Sequence, residues 1–81
     1  MDLGLKDKSV VITGGASNIG RGIVLAFAGE GAHITVGDLD DQQAEKVADL
    51  ARKKGAASVQ VVKTDVTDLD QVKAMFKTAT D

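Results

Sequence analysis

Eighty-one residues, with 10 Lys+Arg against 12 Asp+Glu and a formal net charge of −2, make one small domain. That balance argues against nucleic acid or an anionic membrane surface as the main partner. Hydrophobic residues reach 43% and charged residues 27%, a folding mixture in which no apolar run is as long as a membrane span and the start lacks a signal-peptide core. There is no cysteine, hence no disulfide framework, zinc-thiolate site or thiol nucleophile, which suits a cytoplasmic protein.

Along the chain a short apolar strand, a turn and an amphipathic helix recur three times. The first strand is Ser9-Val10-Val11-Ile12-Thr13. It is apolar and β-branched on consecutive positions, as in a parallel sheet covered on both faces. After a glycine-rich turn, a helix is predicted from about Gly20 to Glu30, with Ile19, Ile23, Ala26 and Phe27 as its apolar stripe and Gly31 as its stop. The second strand runs from about His33 to Gly37 and ends at Asp38. Asp40 or Asp41 caps a second helix whose buried stripe is Ala44, Val47, Ala48 and Ala51. Arg52, Lys53 and Lys54 suit the dipole of its last turn and read as a solvated end, and Gly55 closes it. The third strand is Val59 to Lys63. Thr67 or Asp68 caps a third helix with Leu69, Val72, Phe76 and Ala79 as its stripe. Met75 and Phe76 read as core or interface packing, and His33, with no acid–base partner in sight, as structural or exposed.

The order βαβαβα implies an α/β fold: a Rossmann-type half of a doubly wound parallel sheet, three-layered when complete, with strand order 3-2-1. The first strand then lies at an edge although it is composed like a central strand. An apolar edge is an aggregation hazard, so the remainder of a longer polypeptide or a second copy is expected to cover it.

The turn after the first strand carries the chemistry. Gly14, Gly15, Gly20 and Gly22 sit between a buried strand and a helix, where glycines permit a sharp turn and close approach of backbone to a pyrophosphate. Helix N-terminal amides then face the phosphate charge. Asp38, 18 positions after Gly20 at the end of the second strand, is placed to accept hydrogen bonds from both adenosine ribose hydroxyls and to repel a 2′-phosphate. Leu39 adds no positive charge beside it. NAD is favoured over NADP. Arg21 divides evenly between a phosphate contact and solvent. No carboxylate pair, His cluster or nucleophile arrangement suggests a metal or a hydrolytic site.

These residues resemble the N-terminal part of a short-chain dehydrogenase/reductase. Thr13-Gly14-Gly15-Ala16-Ser17-Asn18-Ile19-Gly20 is similar to the family's Thr-Gly-x-x-x-Gly-x-Gly loop, and Leu5-Lys6-Asp7-Lys8 to its lead-in. Asp38 matches its NAD-selecting acid, and Asp65-Val66 the pair that contacts adenine there. The resemblance implies a cofactor-binding set of Gly14, Ser17, Asn18, Ile19, Gly20, Asp38, Leu39, Asp65 and Val66. Asn18 stands where the middle glycine is usual and tolerates the left-handed region better than most residues. Ser17 replaces the basic residue frequent in NADP-dependent members.

In the family, catalysis is attributed to a Tyr and a Lys four residues later. This sequence has no tyrosine, so no catalytic residue is assigned. Residues 1–81 are expected to be the NAD-binding segment of an oxidoreductase that interconverts an alcohol and a ketone or aldehyde, in a dimer or tetramer, and to be inactive alone. The alternatives are a non-catalytic nucleotide-binding module, a self-associating Rossmann fragment and a methyltransferase half.

Overall fold

The computed structural model describes residues 4, 6–15 and 17–80. Leu5 of the lead-in and Ala16 of the glycine turn lie outside the described residues. The elements follow the predicted order: β1 (Ser9–Thr13), α1 (Asn18–Gly29), β2 (His33–Asp38), α2 (Asp41–Lys54), β3 (Ser58–Lys63) and α3 (Leu69–Thr80). The strands form one parallel sheet with β2 in the middle. Ser9 pairs with His33 and Thr13 with Gly37, while His33 pairs with Ser58 and Asp38 with Lys63. All three strands therefore begin and end nearly level, and their carboxyl ends share one rim.

Side-chain alternation assigns the two faces of the sheet. Val36 points toward Gly15 and Val24 of α1, whereas a side chain on its neighbour Gly37 would meet Met75 of α3. Helices α1 and α2 cover the first face and pack on each other, and α3 covers the second, against β1 and β2. The core lies on the first face, where Ile12, Val24, Ala28, Ile34, Val36, Ala44, Val47, Ala48, Ala51 and Val59 are buried together. The second face is more polar. Gln60 Nε2 donates to Thr35 Oγ1 at 2.9 Å and to the Thr78 carbonyl at 3.1 Å, tying the sheet to α3.

The helix boundaries have local causes. Asp40 caps α2 by accepting from the Gln43 amide, and Gly55 at φ 123° closes it. Asp68 Oδ1 accepts from the amides of Asp70 and Gln71 and so starts α3. The predicted α2 stripe of Ala44, Val47, Ala48 and Ala51 is the buried one. The basic end of α2 differs from the prediction: Arg52 is not simply solvated, since it donates to Asp49 Oδ1 and to the Val59 carbonyl, both at 2.8 Å.

Two stripes need correction. In α1 the buried residues are Gly20, Val24 and Ala28. Ile19 is 80% exposed, Ile23 and Ala26 are exposed, and Phe27 is only half-buried. The helix starts at Asn18, and close packing of Gly20 on the turn fixes its rotation, so small residues face the sheet and larger apolar ones turn away. In α3 it is Met75 that is fully buried, with Val72 and Ala79 half-buried, while Leu69 and Phe76 are exposed. Gly37 decides this, because its missing side chain is the space that the Met75 thioether occupies. The buried-strand pattern also belongs to β2, whose Ile34, Thr35, Val36 and Gly37 are all buried. In β1 only Ile12 is buried, with Val10 and Val11 half-covered.

Candidate cofactor-binding site

The glycine turn is held by backbone bonds. The Gly14 amide donates to the Gly37 carbonyl at 2.9 Å, so the turn hangs on the end of the central strand. Gly14 has φ +68°, a conformation that L side chains rarely adopt, and a Cβ there would stand in open space. Ser17 then closes the turn. Its amide and hydroxyl both donate to the Gly14 carbonyl, at 3.1 and 2.8 Å, and its Oγ accepts from the Gly20 amide at 3.0 Å. Ser17 is thus the N-cap of α1. A Cβ on Gly20 would lie 2.0 Å from the Gly14 carbonyl oxygen, so the third glycine lets helix and turn touch.

Asn18 and Ile19 are the first helical residues, both exposed. Asn18 needs no left-handed tolerance: the only described non-glycine residue with positive φ is Asp7. Of the first amides of α1, Gly20's meets the cap, while among the described residues no acceptor meets those of Asn18 and Ile19. Amides without an acceptor at a helix N-terminus, with the helix dipole behind them, are an arrangement that suits an anion. The Arg21 side chain is exposed beside them.

Asp38 ends β2 on the same rim. Its Oδ1 accepts from the Asp40 amide at 2.9 Å, so the start of α2 orients the carboxylate. Its carbonyl accepts from the Thr64 amide at 3.0 Å, joining the ends of β2 and β3. Leu39 and Val66 are apolar yet exposed, each 59% accessible. Thr13, Gly14, Gly37, Asp38, Leu39, Thr64 and Val66 line a crevice of about 270 Å³. Asp65 lies beside it. Thr67 donates to Asp65 Oδ1 from its hydroxyl at 2.6 Å and from its amide at 2.9 Å. The hydroxyl bond is the larger cause, and together they hold the Asp65 carboxyl below the usual carboxylate range.

A larger cavity of about 600 Å³ opens at the opposite end of the strands, near Ser9, His33 and Ser58. The rim at the carboxyl ends is the stronger candidate, because open parallel sheets bind ligands there, beside the glycine turn and helix N-terminus. The residues present fit half of a dinucleotide: an amide-lined turn free of side chains for a phosphate, a carboxylate for a ribose, and two apolar side chains flanking the space between.

The structure brings Gly14, Asp38, Leu39 and Val66 to one crevice, with Ser17, Asn18, Ile19, Gly20 and Asp65 at its margins. The sequence reading missed Thr64, a buried hydroxyl on the crevice floor that donates to the Val62 carbonyl at 2.9 Å. It also missed Gln71, which reaches back to the Asp65 amide at 2.8 Å. A β-strand end before the Asp-Val pair was the available signal for Thr64; none announced Gln71. His33 is structural, as expected, but with partners the sequence did not name. Its Nδ1 lies 2.7 Å from Ser58 Oγ, and its Nε2 lies 3.8 Å from Asp7 Oδ1. Asp7 sits 26 residues before it and Ser58 25 after it, the latter its pairing partner in the sheet. Among the described residues no group of three or more metal-ligating side chains gathers, and no helix is long and apolar enough to cross a membrane.

A parallel three-stranded sheet with a glycine turn, a helix N-terminus and an acid on one rim defines a Rossmann-type nucleotide-binding unit. Comparison with known proteins narrows the class. The family described as short chain dehydrogenase matches residues 8–81, and the chain belongs to that family. It is 40% identical over 70 residues to an uncharacterised oxidoreductase of Bacillus subtilis (strain 168), covering 86% of this chain and 25% of the relative. It superposes with a TM-score of 0.87 on a short-chain type dehydrogenase/reductase from Mycobacterium marinum, at 33% identity, over 94% of this chain and 30% of the other. A short chain dehydrogenase/reductase from Burkholderia phymatum, solved in complex with NAD, gives 0.85 at 33% identity, over 93% and 26%. The chain therefore spans between a quarter and a third of the length of these relatives.

Proposed function

We propose that these residues form the NAD-binding part of an oxidoreductase that interconverts an alcohol and a ketone or aldehyde. The observation that carries this reading is the Asp38 carboxylate, fixed by the Asp40 amide at the end of β2 and sharing a crevice with Gly14. When bound, NAD would supply the hydride acceptor, and the residues of this chain would bind and orient it. The amides of Asn18 and Ile19 face the diphosphate, and the Gly14 turn admits it without a side chain in the way. Asp38 accepts hydrogen bonds from the adenosine ribose hydroxyls. Leu39 and Val66 flank the adenine, and Asp65 accepts from its amino group. These contacts bind and orient; they move no proton. The chain holds no tyrosine, so the acid–base step that the family assigns to a Tyr and a Lys does not come from it, and these 81 residues alone are expected to turn over no alcohol or ketone.

The preference for NAD over NADP follows from charge. A 2′-phosphate placed at the ribose would bring a dianion against Asp38. In the protein with this sequence, NAD is expected to bind at least about tenfold more tightly than NADP, about 1.4 kcal/mol. Asp38→Ala should weaken NAD and close most of that gap in calorimetric titrations. An unchanged preference in Asp38→Ala removes Asp38 from the ribose role. Binding without turnover also fits a non-catalytic nucleotide-binding module, which the missing tyrosine favours for these residues taken alone; turnover by a longer form of the chain decides between the two. The outer edge of β1 has no strand partner among the described residues. We assign it to further polypeptide of the same protein or to a second copy in a homo-oligomer.

A further inference from the structure

Beyond the crevice itself, the loop that carries Asp65 and Val66 is held from outside by a side chain that touches none of the crevice. Gln71, in the first turn of α3, accepts from the Asp65 amide through Oε1 at 2.8 Å and donates from Nε2 to Asp68 Oδ2 at 3.2 Å. Only this orientation of the side-chain amide satisfies both neighbours, since a flip would set N–H against N–H and oxygen against a carboxylate. Asp68 is itself anchored, its Oδ1 accepting from the Asp70 and Gln71 amides at 3.0 and 3.3 Å. The Asp65 carbonyl accepts from the Asp68 amide at 2.9 Å, closing the turn. The backbone of Asp65 is thus gripped on both sides, by N–H and by carbonyl, and both grips end on the start of α3.

We propose that Gln71 is a positioning residue for adenine recognition: by pinning the Asp65 amide to the first turn of α3, it sets where the Asp65 carboxylate and the Val66 backbone meet the purine edge. This rests on the reading of Asp65–Val66 as the adenine contact. The carboxylate has one oxygen committed to Thr67, through the bonds at 2.6 and 2.9 Å. Its direction therefore depends on the loop backbone that Gln71 holds. Val66 lines the crevice with Gly14 and Asp38, so a shift of the loop is felt in the site even though Gln71 is exposed and does not line it.

The test uses a cofactor change at the purine alone. Nicotinamide hypoxanthine dinucleotide carries a carbonyl where NAD carries the 6-amino donor, and an N1–H donor where NAD has an N1 acceptor; the rest of the molecule is the same. Calorimetry on the wild-type chain should show a several-fold preference for NAD. Gln71→Met keeps the length of the side chain and loses both hydrogen bonds. It should weaken NAD binding roughly three- to tenfold, leave the hypoxanthine dinucleotide nearly unchanged and so erase the preference. Gln71→Glu keeps an oxygen opposite the Asp65 amide but sets a second carboxylate against Asp68 Oδ2, so it should retain only part of the preference, more than Gln71→Met. Amide exchange without cofactor gives an independent reading, with the Asp65 N–H losing protection in Gln71→Met while the β2 amides keep theirs. Preference intact in Gln71→Met, or Asp65 protection unchanged, overturns the positioning role. A wild-type chain that binds NAD without distinguishing the two purines overturns instead the adenine reading on which it rests.

Discussion

Two glycines two residues apart in α1 are expected to respond oppositely to the same substitution. In Gly20→Ala the new Cβ would lie 2.0 Å from the Gly14 carbonyl oxygen, 2.8 Å from its carbon and 2.9 Å from Gly15 Cα. All three are backbone atoms, so no rotamer change relieves them. Restoring an ordinary contact of 3.4 Å to the oxygen requires a displacement of 1.4 Å. The turn resists it, because Gly14 is tied to Gly37 through its amide and to Ser17 through its carbonyl. Overpacking of this kind costs about 3 kcal/mol, offset by roughly 0.5–1 kcal/mol of helix propensity. The net loss of about 2 kcal/mol lowers Tm by roughly 8–16 °C for a domain of this size. In Gly22→Ala nothing lies within 4 Å of the new Cβ. Only the propensity gain remains, and Tm should rise by roughly 2–8 °C. Circular dichroism melts of the two variants beside the wild type read this directly. Equal melting temperatures, or a stabilised Gly20→Ala, would refute the claim that helix and turn are in contact at Gly20.

On the other face, Gly37→Ala sets a Cβ 2.1 Å from Met75 Sδ, the flexible end of a side chain. The cost should be about 1–3 kcal/mol. Urea denaturation of Gly37→Ala, Met75→Ala and the double variant should show strong non-additivity, the pair losing less than the two singles together; strict additivity would place Met75 elsewhere. Thr67→Val removes the hydroxyl bond to Asp65 and keeps the amide bond, so the Asp65 carboxyl should move up toward the usual carboxylate range in an NMR titration. Because the folded chain holds this group below its unfolded value, its contribution to stability is present at neutral pH and is lost as pH falls through the carboxylate range. Thr67→Val should therefore shrink the acid-limb loss, and a profile identical to wild type would assign the depression to another cause.

The order of elements was legible because each helix is bounded by residues that act locally. Asp40, Asp68, Gly31 and Gly55 each stop or start a helix through a hydrogen bond or a positive φ within a few residues. The α2 stripe was legible for the same reason: its alanines and Val47 meet one continuous apolar surface, so hydrophobicity and burial coincide. They part company where a backbone must come close. At Gly20 and Gly37 the decisive property is the absence of a side chain, which a hydrophobic period scores as nothing, and each of these positions rotates a helix away from the face its larger residues suggest. The Gln71 and His33 contacts were illegible for a different reason. They join residues through a turn or across strands, and a polar side chain in a sequence does not name its partner.

The misplaced residues of α1 carry information of their own. Ile19 stands in the first turn of α1, Leu39 and Val66 in the connections after β2 and β3, and all three are exposed. An apolar side chain scattered singly on a surface means little. Three at one rim, with Asp38 and the amides of Asn18 and Ile19 beside them, form a surface with an apolar part and two polar ones. Water satisfies such a surface poorly, and the dinucleotide proposed above would offer it a flat aromatic end, a sugar and a phosphate. The core cannot claim Ile19 because Gly20, its neighbour, already fixes which side of α1 faces the sheet. The glycine that tightens the turn is thus the same residue that leaves an isoleucine facing outward, and local periodicity fails at the rim where a ligand would complete the packing.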